Sequence, residues 1–235
     1  MRQPAATRPD RTDARGRTRH TGAKGSPPAT SDEARPTVGK IVLSISVSLD
    51  GYYEGPDREI DWHLVDEELH QHFNDWLSQA GAFLEGRITY ELMAGYWPRA
   101  GEDPSVTPVE KEFGQIWVDM PKIAFSRTLD ERAQWNTVVW REVDREEIEA
   151  LKERTEGDLV VGGPDLAASF AALDLIDEYR IYVHPVLIGR GRPLFPTTDV
   201  RTPLRLTGTH TFGNGVVQLR YEVVRAGGGS AGSPG

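Results

Sequence analysis

The sequence predicts an α/β domain built on a mainly parallel central sheet, covered by helices on both faces and closed by an antiparallel C-terminal hairpin. Three observations carry that expectation. Strand-like and helix-like hydrophobic patterns take turns between Lys40 and Val183, the order that makes parallel sheets with helical crossovers. The run Asp158 to Gly163 reads as a buried strand that turns through two glycines into a helical pattern. Near the C-terminus, Gly213-Asn214-Gly215 separates two strand-like segments, a strong hairpin signal.

The elements follow in order. Ile41, Leu43, Ile45 and Val47 alternate within Lys40 to Ser48 and predict the first strand. After a long loop, Leu69, Phe73, Trp76, Leu77 and Ala80 recur at helical spacing, with Asp66 placed as the N-cap. Ala82 to Glu85 reads as a short buried strand, Arg87 to Tyr96 as a helix, and Lys122 to Ser126 and Thr137 to Arg141 as two further strands. Asp144 followed three residues later by Glu147 is a capping signature for a helix over Arg145 to Arg154, with Ile148 and Leu151 inward. Leu166, Phe170 and Leu173 give the helical face after the double glycine, and Tyr179 to Val183 the next strand. Leu204 to Phe212 and Val216 to Val223 complete the hairpin.

The chain has 235 residues and a net charge of -9, and that charge is unevenly spread. Residues 1–37 carry eight Arg or Lys against four acids, a net +4, so the remainder carries -13. The first 37 residues hold five prolines and, apart from Met1 and six alanines, no apolar side chain. Burial there cannot offset an ordering cost of about 1–2 kcal/mol per residue, so 1–37 is expected to be a disordered basic tail. Residues 226–235, AGGGSAGSPG, have the composition of a second disordered tail. The folded domain is expected over 38–225. Its acidic balance argues against nucleic acid as a partner. No apolar run approaches the ~18–20 residues that span a bilayer, so no membrane partner is expected. The absence of cysteine excludes disulfide scaffolds, thiol enzymes and cysteine metal sites and suits a soluble cytoplasmic protein.

Candidate site residues gather at predicted strand ends. Gly162 and Gly163, followed by Asp165, open a helix whose terminal N–H groups suit a pyrophosphate, although a glycine pair at such a turn also serves simply as a tight turn. Arg87 and Thr89 lie in the first turn of another helix, and Ser126 and Arg127 follow another strand; guanidinium and hydroxyl groups there either meet phosphate or are solvated. Parallel strands bring their C-terminal ends to one rim, so these donors converge. The loop from Ser48 through Asp50, Gly51, Tyr52 and Tyr53, with Trp62 beyond it, either walls a planar ring site or packs onto the core. His63, His70 and His72 are not spaced as metal ligands, and no metal is expected.

Together, Ser48 to Asp57, Ile60 to Trp62, Phe83 to Pro98, Ile123 to Leu129 and above all VVGGPDLAASFAALDLIDEYRIYVHPVLIGRGRPLF from Val160 to Phe195 resemble the dihydrofolate-reductase-like superfamily. The most similar branch is the riboflavin-biosynthesis reductase, or RibD C-terminal, family, and the likeness runs from about Lys40 to Tyr221. The resemblance implies a three-layer α/β/α fold, NADPH across the strand ends and a small heterocyclic substrate beside the nicotinamide. It assigns cofactor binding to Arg87, Thr89, Ser126, Arg127, Gly162, Gly163, Asp165, Leu166 and Ala167. Ser48 and Trp62 match the substrate loop, and Asp50 or Glu68 would serve as the acid, with Asp66 and Glu67 competing with Glu68 for the helix-start position. Family members acting in riboflavin synthesis carry Glu where this chain has Val161. The expected activity is hydride transfer from NADPH to a pterin-like or aminopyrimidine substrate by a homodimer, with a dimeric NADPH-binding protein without turnover as the alternative.

Overall fold

The computed structural model describes residues 39–195 and 199–225; the two tails expected to be disordered lie outside them. The chain forms strands β1 (Ile41–Ser48), β2 (Tyr52–Glu54), β3 (Ala82–Gly86), β4 (Lys122–Phe125), β5 (Thr137–Trp140), β6 (Leu159–Gly162), β7 (Glu178–His184), β8 (Arg192–Pro193), β9 (Leu204–Thr211) and β10 (Val217–Val223). Between them lie helices α1 (Glu67–Leu77), α2 (Arg87–Tyr96), α3 (Pro108–Asp119), α4 (Arg145–Arg154) and α5 (Pro164–Ala172), with a 3-10 turn over Trp97–Glu102.

Eight strands make one sheet in the order β5-β4-β3-β6-β1-β7-β10-β9. Pairing is parallel from β5 to β7, and β10 runs antiparallel to both β7 and β9. One face buries Leu43, Leu84, Val161 and Ile181 against Ile148 and Leu151 of α4 and Leu166 and Phe170 of α5. The opposite face buries Phe83, Ala124 and Val160 against Phe113 and Trp117 of α3, with Trp76 and Leu77 of α1 packed on them. The result is three layers, as the alternating pattern predicts. The helix starts follow their caps: Asp66 Oδ1 accepts from Leu69 N at 2.9 Å and Asp144 Oδ1 from Glu147 N at 3.0 Å.

Two departures concern positions between predicted elements. The sequence reading places no helix between Tyr96 and Lys122, yet α3 fills that interval. Its signal is present: Thr107 and Glu110 form a reciprocal capping box and Pro108 occupies the first turn, while Val109, Phe113 and Trp117 recur every fourth residue and are buried. Strands β2 and β8 form a separate two-stranded ribbon, too short for any periodicity to reveal.

Candidate active site

Parallel pairing delivers the C-terminal ends of β3, β4, β5 and β6 to one rim. There Gly86, Ser126, Arg141 and Gly163 help line a cleft of about 760 Å³. Gly163 is the N-cap of α5 with φ +94°, and a Cβ at this position would stand 2.5 Å from Thr89 Oγ1. Only glycine satisfies both the backbone and the close approach. The first turn of α5 receives no capping side chain and has proline at its start, so N–H groups and the positive end of the helix dipole remain available to an anion.

Cationic groups surround that helix start. Arg58, Arg87, Arg127, Arg141 and Arg192 all line the cleft. Arg192 bridges Glu54 at 2.9 Å and Asp165 at 2.6 Å, and its guanidinium lies 5.1 Å from the Tyr53 ring centre. Arg141 donates to Ser126 O at 2.9 Å and Leu129 O at 2.8 Å, holding the loop after β4. The Ser126 hydroxyl oxygen accepts from Thr128 N and Leu129 N at 3.1 and 2.9 Å. Arg87 pairs with Glu91 at 2.7 Å on the open surface of α2, whereas Arg127 is exposed at the rim.

A second, smaller cavity of about 330 Å³ adjoins this cleft on the α1–α3 face of the sheet. Phe73, Phe83, Met93, Trp97, Phe113 and Tyr182 give it a largely apolar wall. Thr89 lines both spaces, and the consecutive glycines divide them: Gly162 faces the pocket and Gly163 the cleft. Inside the pocket lies Glu85, on β3 beside Gly162 of β6. It is 4% exposed. Its Oε1 accepts from Trp117 Nε1 at 3.2 Å, while Oε2 is buried without a partner among the described residues. Burial pushes its carboxyl up to about 7, against the opposing pull of the Trp117 hydrogen bond and the Lys122 charge. Lys122 lies behind Trp117, over its ring at 4.4 Å, donating to Trp117 O and Met120 O.

The structure brings Arg87, Thr89, Ser126, Arg127, Gly163, Asp165 and Leu166 together around the cleft, with Gly162 at its inner wall. Ala167 is buried beneath it in the core. Four other expected residues sit outside both lining sets. Ser48 is buried, and its Oγ accepts from Tyr52 N at 3.0 Å, shaping the turn after β1. Asp50 accepts from Gly189 N at 2.8 Å and Ile188 N at 3.3 Å. Glu68 Oε2 accepts from Gly213 N at 2.9 Å, fastening α1 to the C-terminal hairpin turn. Trp62 packs edge-on against His63 and His184 with centroids at 4.3 and 5.7 Å, and lines a different surface depression beside Asp61 and Arg190.

Sequence reasoning missed Glu85, Arg58, Arg141 and Arg192. Glu85 carried a usable signal, a carboxylate inside a strand expected to be buried, because such a group is kept only where something compensates or uses it. The arginines lie on loops and short strands that show no pattern of their own.

A model of the RibD C-terminal domain family matches residues 39–218. The uncharacterized Bacillus subtilis (strain 168) protein YyaP is 36% identical over 183 residues, covering 77% of this chain and 94% of that protein. Among solved structures, a putative riboflavin biosynthesis protein from Shewanella sp. PV-4 superposes with a TM-score of 0.57 at 20% identity, over 79% of this chain and 99% of its own. Dihydrofolate reductase from Enterococcus faecalis, solved with NADP(H), gives 0.51 at 19% identity, over 79% and 97%. These two structures show the fold: the layered mixed sheet with its antiparallel C-terminal strands is dihydrofolate-reductase-like.

Proposed function

The chain belongs to the RibD C-terminal domain family, and from that premise we propose that it is an NADPH-dependent reductase acting on a small heterocycle, pterin-like or aminopyrimidine in character. The observation that carries this reading is the shared wall. Thr89 and the Gly162–Gly163 turn separate an arginine-rimmed cleft of dinucleotide size from an aromatic pocket of ring size. A cofactor laid along the rim would place its reactive ring where the two spaces meet.

The residues present fit such a cofactor. The Gly163 position has no room for a side chain, so backbone can approach a pyrophosphate at the open start of α5. Arg87 and Arg127, with Arg58 beside them, supply the cationic partners a 2′-phosphate needs. Arg192 neutralises Asp165, which would otherwise repel a phosphate from the helix start. When bound, NADPH supplies the hydride; the protein supplies binding, orientation and exclusion of water. Val161 is fully buried in the sheet where riboflavin-type members are expected to carry Glu, so the carboxyl available to the pocket is Glu85 rather than a group on β6.

The test is a substrate screen over pterins, aminopyrimidines and quinazolines that follows loss of the reduced-cofactor absorbance. Turnover with at least one class supports the reading. NADPH binding without oxidation of any of them would overturn it in favour of a binding protein. A homodimer belongs to the same proposal, because β9 is an open edge strand with Leu204 and Leu206 exposed. Light scattering at micromolar concentration should give twice the monomer mass, and a monomer would refute it.

A further inference from the structure

The pocket beside the glycine turn combines three features that constrain what enters it. Its wall is largely aromatic and aliphatic, and its volume of about 330 Å³ lies at the small end of the roughly 300–1,000 Å³ typical of ligand sites. It contains no arginine or lysine among its lining residues. Among the described residues its one carboxyl group, on Glu85, is nearly inaccessible to bulk solvent, with one oxygen held by Trp117 and the other buried without a partner.

We infer that this pocket binds an uncharged, flat ring bearing a hydrogen-bond acceptor, that Glu85 donates its carboxyl proton to that acceptor, and that phosphorylated or carboxylated rings are rejected. The inference rests on the proposed function only in taking this pocket as the substrate's. A buried polar atom left unpaired is costly, so an acceptor placed against Oε2 supplies a hydrogen bond that this atom lacks among the described residues. A neutral ring costs little to desolvate among Phe73, Phe83, Phe113 and Trp97. An anion would have to leave water with no cation in the lining to meet it.

Most groups facing Glu85 agree with a carboxyl that keeps its proton. Lys122 of β4 opposes this with its charge, while its ammonium donates to the Trp117 and Met120 carbonyls. His70 of α1 lines the pocket, and burial lowers its pKa, favouring the neutral ring. Tyr182 of β7 has its hydroxyl pushed up to about 12 by burial and accepts from Gln218 Nε2 at 2.7 Å, so it stays protonated. Beside Glu85, β6 and α2 present Gly162 and Thr89. With Glu85 itself near 7, its donor is present in mildly acidic solution and lost in mildly basic solution.

The test is direct binding without cofactor, read from quenching of tryptophan fluorescence in the full chain. The probes are quinoxaline, which is flat, uncharged and carries acceptor nitrogens; naphthalene, which has the same shape without an acceptor; and quinoxaline-2-carboxylate. Quinoxaline should bind about tenfold or more tightly at pH 6 than at pH 9, following the protonated fraction of a group near 7. Naphthalene should show no such dependence, and the carboxylate should bind about tenfold or more weakly than quinoxaline at pH 6. In Glu85→Gln the amide oxygen takes the Trp117 bond and the amide N–H faces the pocket, so quinoxaline binding should persist at both pH values. In Glu85→Leu it should fall to the naphthalene level. A pH-independent wild type, or the same pH dependence retained in Glu85→Gln, overturns the inference. A parallel NADPH titration separates the two readings: NADPH binding with no acceptor-dependent probe binding defeats this inference alone, and probe binding without NADPH binding defeats the reductase proposal alone.

Discussion

Replacing Glu85 by Gln should remove a defined part of the protein's dependence of stability on pH. In the folded protein the carboxyl is pushed from 4.5 up to about 7, so between those values the native state holds a proton that the unfolded chain has released. The native state binds more protons than the unfolded state across that window, and stability therefore falls as pH rises through it. The contribution is least unfavourable below 4.5, and the full penalty is present above about 7. At about 1.4 kcal/mol for each pH unit of difference, the span predicts that the stability gap between Glu85→Gln and wild type widens by roughly 2 to 3 kcal/mol from pH 5 to pH 8. The group is 4% exposed, so solvent screening does little to reduce that figure, while the Lys122 charge behind Trp117 sets its upper side. Urea unfolding of both proteins at pH 5, 6, 7 and 8 reads the gap directly. A gap that stays constant to within about 0.5 kcal/mol across this range would mean that burial does not hold the carboxyl protonated.

Other expectations test the cleft and the acid separately. Gly163→Ala should cost stability on the order of 1–3 kcal/mol, because φ is +94° and the new Cβ meets Thr89 Oγ1 at 2.5 Å. Gly162→Ala makes only ordinary contacts at 3.6 Å with Glu85 and Thr89, so its stability should change less while its ligand binding falls; calorimetry of both variants checks the order. Glu68→Gln keeps the amide oxygen for Gly213 N and should leave kcat within about threefold of wild type, about 0.6 kcal/mol. A loss of a hundredfold would return the acid's role to α1. Thr107→Ala should lower the melting temperature through loss of the α3 cap, worth about 1 kcal/mol.

Much of the fold was legible because the elements announce themselves locally. β1 alternates, α4 begins at Asp144 with Glu147 three residues on, and the double glycine stands where β6 meets α5. Parallel topology then follows from the order of strands and helices, and it alone brings Arg87, Ser126 and Gly163 to one rim. The pocket was less legible because the carboxyl that lines it is placed by tertiary packing. Glu68 occupies the register that resemblance assigns to an acid, yet its side chain turns to the hairpin. Glu85 is visible in the sequence as a carboxylate within a strand expected to be buried, but only the packing of β3 under Trp117 and beside Gly162 makes it a pocket group. Arg192 reaches the cleft through a two-residue strand whose partner is more than a hundred residues earlier, a pairing no local pattern encodes.

If the glycine turn and the arginines at the strand ends hold a phosphorylated dinucleotide, equilibrium titration of NADPH and NADH against wild type and Arg127→Ala will show it. Wild type should bind NADPH about tenfold or more tightly than NADH, and Arg127→Ala should narrow that preference while leaving NADH affinity nearly unchanged. Equal affinity for the two coenzymes in wild type, or no measurable binding of either, would rule out such a site.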